Sequence, residues 1–204
     1  HDVELRGTHD LGARNFLLWG ASYRHLRVDY SLQDVGAEQD IYAGFALQEW
    51  RPRRDLMTSV GLRYEHHPIT GDQLAPQAGL VYQPADDHAL RLSYRQAYRN
   101  PSYLETYWRT DLEQIPGFPQ TIRGNRSLAA EGIRSLEVGW QGVVGQKVLL
   151  DLAVFHNQLD DLVGLRVQGF YPSPPAPQPD LPRKYRFANT SSWRATGGEL
   201  SWQV

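Results

Sequence analysis

From residue 56 to 64 the even positions carry Leu56, Thr58, Val60, Leu62 and Tyr64, and the odd positions between them carry Met57, Ser59, Gly61 and Arg63. Side chains on successive strand residues point to opposite faces, so a period of two describes an extended segment with one oily face and one wet face. The same alternation recurs along most of the chain. Any fold must therefore give many such strands a place for both faces.

Nine strands are expected, over residues 3–9, 16–30, 40–50, 56–65, 74–82, 88–98, 133–141, 147–167 and 185–204. The connections after the first, third, fifth and seventh are short turns. Those after the second, fourth, sixth and eighth are longer or richer in aromatics, the longest being 99–132, which shows no alternation. A loop of that length is uncommon in a compact domain unless it is functional. Residues 171–183 are proline-rich and not expected to join a ladder, because proline lacks the N–H donor. Short turns on one rim and long loops on the other are the pattern of an antiparallel transmembrane β-barrel, with short periplasmic turns and longer extracellular loops.

Further features agree with a lipid-facing side. Phe16, Trp19, Trp50, Tyr82, Trp140 and Trp202 gather beside the short turns, as an interfacial aromatic girdle would. Arg63, Glu65, Arg91, Arg95, Glu137, Asp151 and Glu199 fall on the polar faces. On the lipid face at mid-bilayer an arginine costs about 2–4 kcal/mol. Arg134 sits on the apolar register, but at the outer end of its strand, where the penalty falls to roughly 0–1 kcal/mol. In the third strand Ile41, Ala43, Phe45 and Leu47 alternate with Gly44, Ala46 and Gln48. Trp50 breaks that parity, which calls for a bulge near Glu49 or an inward-pointing Trp50.

Composition narrows the partners. A net charge of −2 over 204 residues offers nothing to a nucleic acid. The absence of cysteine excludes disulfides and thiolate metal sites. No run approaches the roughly 18 apolar residues of a membrane helix. The negative mean hydropathy carries little weight, since half of each barrel strand faces a polar lumen. The chain opens and closes in strands and reads as a piece of a longer protein. A soluble antiparallel sandwich also alternates, but its core rarely needs one rim so heavy in loops.

Several segments resemble the barrel of TonB-dependent outer-membrane receptors. Residues 40–50, DIYAGFALQEW, resemble the family's Y-x-x-F-x-Q-D/E-E-W strand, and 59–65, SVGLRYE, its GLRYD strand. Residues 90–102, LRLSYRQAYRNPS, resemble SYS-x-AFRAPS, and 124–131, GNRSLAAE, resemble GNPDLKPE, with Arg126, Ser127 and Ala130 departing from the pattern. Residues 189–200 resemble N-x-G-x-A-R-x-x-G-V-E-L, with Gly198 where a branched residue is common.

The resemblance implies a barrel of about 22 strands, of which residues 1–204 supply about nine. An N-terminal plug domain, a TonB-contacting segment and the last barrel strands would lie outside the chain. It further implies capture of a scarce nutrient, a ferric siderophore or a cobalamin-like ligand, and import driven through TonB. A passive barrel, porin or adhesin, is the rival membrane reading.

On this reading the ligand-binding candidates lie in and beside the longest loop: Tyr98, Arg99, Tyr103, Tyr107, Trp108, Arg109, Phe118 and Arg123. Aromatic faces with guanidinium groups suit a flat anionic ligand through stacking and charge-assisted hydrogen bonds. His66 and His67 are adjacent in a strand, so they point apart and chelate one ion poorly. Asp160 and Asp161 alone are too few for calcium. Asp86-Asp87-His88 reads as turn chemistry. No nucleophile elbow, phosphate-cradling glycine loop or His-Glu-x-x-His motif is present, so neither catalysis nor a cofactor is expected.

Overall fold

The computed structural model describes residues 1–30, 35–115, 118–145, 147–170 and 182–204. Strands are β1 (Asp2–Asp10), β2 (Asn15–Tyr30), β3 (Val35–Arg53), β4 (Leu56–His67), β5 (Gly71–Ala85), β6 (His88–Arg99), β7 (Arg109–Ile115), β8 (Phe118–Arg123), β9 (Glu131–Val144), β10 (Val148–Phe170) and β11 (Pro182–Gln203), with one short helix, α1 (Tyr103–Tyr107). They form a single sheet in the order β1-β2-β3-β4-β5-β6-β9-β10-β11-β8-β7. The nine long strands are antiparallel neighbours in chain order, joined by the expected short turns on one rim.

Two expectations about the connections are corrected. Residues 99–132 are not a structureless loop: they carry α1 and the β7–β8 hairpin. Pro182 and Arg183 belong to β11, Pro182 as its first residue, where a missing donor costs least. The rest of the proline-rich stretch, residues 171–181, lies outside the described residues. The long strands also run past their expected outer ends. Val35 to Gln39 join β3, and Gly71 to Gln73 join β5. Periodicity stops where the apolar band stops, whereas backbone pairing continues above it.

Register assigns the faces. Cross-strand partners share a face, and a continuous row runs Trp19, Ala46, Leu62, Pro76 across β2 to β5. On this row's face lie Val60, Leu80, Leu92, Leu136, Val138, Val154, Leu152 and Leu200. Trp50 pairs with Thr58 and belongs to the same face, and the register from Tyr42 to Trp50 is unbroken. The expected bulge near Glu49 is therefore absent, and Trp50 does not point inward. It is Ile41, Ala43, Phe45 and Leu47 that occupy the opposite, polar face. Phe16 shares that polar face too, through its partner Glu49, so it leaves the expected girdle. Trp19, Trp50, Tyr82, Trp140 and Trp202 remain on the apolar face as the lower girdle.

The apolar face has no protein covering it among the described residues. Val60 is 64% exposed, Val138 53% and Trp202 68%. A sandwich would press these side chains against a second sheet, so the soluble alternative loses its core. The polar face is knitted by ions. Arg91 on β6 reaches across β9 to Asp151 on β10 at 2.6 and 3.0 Å, passing Glu137 at 3.6 Å. Gly139 lies beneath the guanidinium, and any Cβ there would collide with the Arg91 side chain. β10 and β11, at 23 and 22 residues, are about twice the 9–11 residues a strand needs to cross a bilayer, so their upper halves stand above it.

Candidate functional site

The outer segment begins where β6 ends, and four successive residues fix its path. Arg99 faces Glu131 across the β6–β9 ladder, bonded at 2.5 Å, and grips both oxygens of Glu105 at 2.9 and 3.0 Å. The Asn100 amide donates to Glu65 on β4 and accepts from Thr70 and Gln73. Pro101 is buried. Ser102 caps α1 in a reciprocal capping box, its hydroxyl accepting from the Glu105 N–H and its own N–H donating to the Glu105 carboxylate.

The return path is pinned as firmly. The Gly124 N–H donates to the Trp108 carbonyl and the Asn125 N–H to that of Glu105. A Cβ at Gly124 would lie 2.5 Å from the Thr106 carbonyl oxygen, so only glycine lets the two passes meet. The Asn125 side chain donates to the Phe187 carbonyl and accepts from Ser127 N–H and Arg186. Leu128 is 2% exposed. The Asn189 amide bonds both Ala129 backbone groups and the Asp161 carbonyl. Asp161 itself has φ 58, at a register irregularity of the β10–β11 ladder.

Between these anchors stands the hairpin. β8 pairs with β7 antiparallel and with β11 parallel. The two registers put Arg109, Arg123 and Arg186 side by side across three strands, on one face. Asp111 lies in the next row, opposite Thr121. Arg123 holds Asp111 at 3.1 Å and the Thr110 carbonyl at 3.0 Å. The Thr121 hydroxyl on Asp111, together with Arg123, outweighs partial desolvation and holds that carboxyl below the usual carboxylate range. In Glu105, burial pushes upward, but the bonds from Arg99 and Ser102 win and leave it lowered as well.

Beside the arginine row is a cavity of about 360 Å³ lined by Tyr107, Trp108, Arg109, Arg123, Arg126 and Arg186 among others, with no carboxylate in its wall. The Arg126 guanidinium lies 4.7 Å over the Tyr107 ring, which stacks on Tyr103 at 5.7 Å. Four guanidinium groups around two aromatic rings make a wall suited to a planar anion.

The expected residues divide. Tyr107, Trp108, Arg109 and Arg123 meet at this cavity. Tyr103 supports it from behind, its hydroxyl donating to the Leu26 carbonyl at 3.3 Å. Phe118 opens β8; its side chain lies outside the description. Tyr98 lies on the apolar face, paired with Gly132, and its hydroxyl accepts from Gln96. Arg99 is on the polar face with both its carboxylate partners. Two of the cavity's four arginines escaped the sequence reading. Arg126 stands where the resembled motif has proline, a departure that marked it. Arg186 lies in a strand sixty residues away and carried no local signal. His66 and His67 fall on opposite faces, and among the described residues no three His, Asp or Glu side chains gather as a metal site.

Comparisons agree with this architecture. The chain covers 33% of a ferric enterobactin receptor of Pseudomonas aeruginosa over its own full length, with a TM-score of 0.80 at 18% identity. It covers 38% of the siderophore receptor PirA of the same organism, over 98% of its own length, with a TM-score of 0.79 at 16% identity. In sequence, 70 residues, 34% of the chain, match 9% of the ferrienterobactin receptor of Escherichia coli at 27% identity. The chain thus spans well under half the length of each of these relatives. The family described as TonB dependent receptor-like, beta-barrel matches residues 1–204 throughout, and the chain belongs to that family.

Proposed function

We propose that this chain is part of an outer-membrane receptor of a Gram-negative bacterium that binds a ferric siderophore on its outer rim and imports it with energy relayed by TonB. The observation that carries the reading is the cavity of four arginines and two aromatic rings, standing above a sheet whose apolar face is uncovered among the described residues. Charge-assisted bonds and stacking are what a flat, multiply anionic iron chelate offers in return. The relatives described as ferric enterobactin receptors support the same ligand class. On this reading about 22 strands close the barrel, an N-terminal plug fills it, and TonB engages the N-terminal region. Outer-membrane lipid covers the apolar face. The barrel binds and conducts but makes and breaks no covalent bonds.

The test is uptake of radiolabelled ferric enterobactin by cells that express the full-length gene and lack other receptors. Uptake that disappears when TonB is deleted supports the proposal. Uptake that persists without TonB favours a passive barrel. Uptake of cobalamin in place of iron would reassign the cargo. A product that folds in water without detergent would overturn the membrane reading.

A further inference from the structure

Arg99 has the look of a ligand-binding arginine, at the mouth of the longest loop, yet its geometry is inward. Its Nε bonds Glu131 Oε2, and its two terminal nitrogens each bond one oxygen of Glu105. Each partner is itself committed. Glu105 closes the capping box of α1, and its carbonyl holds Asn125 on the return pass. Glu131 opens β9, and its second oxygen accepts the Val163 N–H of β10. One guanidinium therefore ties α1, the return pass and two wall strands into a single unit. Without it, the Glu105 and Glu131 carboxylates would face one vacated position with no cation between them.

We infer that Arg99 is a positioning residue: it latches α1 and the β7–β8 hairpin to the rim of the wall and so holds the four-arginine cavity in its binding shape without touching the ligand. The planar fork matters, because an ammonium group cannot direct donors to three carboxylate oxygens of two residues at fixed angles. The inference rests on the outer-rim reading for its ligand arm only; the mechanical arm stands apart from it.

The experiment uses the full-length receptor in lipid nanodiscs, with amide hydrogen exchange over residues 103–125 and affinity for ferric enterobactin measured on the same samples. In Arg99→Gln, exchange in 103–125 rises roughly tenfold and affinity falls roughly tenfold, the scale of losing charge-assisted bonds. Glu105→Gln keeps the capping box, since glutamine also serves at that position, but weakens the latch, so it loosens the segment with β6 and β9 unchanged. The triple variant R99Q/E105Q/E131Q removes the facing carboxylates and recovers part of both losses, which a purely steric role for the Arg99 side chain would not allow. Exchange in R99Q equal to wild type, in a barrel that is otherwise folded, overturns the latch. Faster exchange in R99Q, with affinity unmoved in both R99Q and R126A/R186A, keeps the latch and overturns the outer-rim ligand reading.

Discussion

Arg123 on β8 and Arg186 on β11 are direct partners in the sheet's parallel pairing, so two like charges sit side by side above the membrane. Opposed like charges on neighbouring strands are destabilising by a few tenths to about 1 kcal/mol. Arg123 has Asp111 to balance it, whereas the bond described for Arg186 goes to the neutral Asn125 amide. A pair held against its own repulsion is suited to an incoming anion.

Arg186→Gln is therefore expected to leave the empty receptor as stable as wild type or slightly more so, while weakening ferric enterobactin binding about tenfold. Arg126→Ala is expected to act similarly and to lose the stack on Tyr107. Calorimetric titration at low and high salt checks both, because the arginine contribution shrinks as salt screens it.

The assignment of faces makes a sharper demand. Val60→Arg places a charge in the middle of the apolar face and is expected to cost about 2–4 kcal/mol. Ser59→Arg, one residue away on the polar face, is expected to cost far less. Urea titration of the barrel refolded into lipid vesicles separates the two, and equal costs would contradict the register.

Trp50 offers a direct reading of the same point. In a receptor whose other tryptophans are replaced by phenylalanine, its fluorescence is expected to be quenched by brominated lipid. Phe45→Trp with Trp50 also replaced by phenylalanine is expected to resist that quencher, since its face lines the interior.

Gly124→Ala is expected to disturb the outer segment, because the added methyl meets backbone at Thr106 and cannot be swung aside. A destabilisation of about 1–3 kcal/mol, typical of forced overpacking, would show as faster exchange over 103–125. Gly36→Ala, with nothing within 4 Å of the new methyl, serves as the control.

Acid is expected to release the latch. The Glu105 carboxyl titrates below its ordinary value in the folded receptor, so its bonds contribute fully above the unfolded value of about 4.3. That contribution is lost as pH falls through the lower, folded value. Exchange over 103–125 should stay flat, after correction for intrinsic rates, from neutral pH to about 5 and rise below about 4.

The nine wall strands and the rim asymmetry were legible because backbone pairing and lipid contact both impose a period of two. The face of β3 was not. Ile41, Ala43, Phe45 and Leu47 are the more apolar set, but Phe45 spends its ring on the bare backbone of Gly20 opposite, and the outward face makes do with Gly44 and Ala46. Hydrophobicity along one strand misassigns such a case; partners on β2 and β4 decide it. The aromatic and arginine content of 99–132 pointed to the candidate site, and four of the eight expected residues, Tyr107, Trp108, Arg109 and Arg123, meet there. The hairpin that carries them was hidden, because short strands exposed on the rim need no alternation. Arg186 was hidden for a different reason: it joins the cavity through a pairing about sixty residues away in the chain.

That pairing limits what can be transplanted. A graft of 99–132 from this receptor into another barrel would carry Tyr107, Trp108, Arg109, Arg123 and Arg126, yet leave the third guanidinium of the row and the strand edge behind it in the donor. On the proposed reading, specificity is written in two stretches of sequence, and a chimera that inherits one without the other inherits half of the proposed recognition surface.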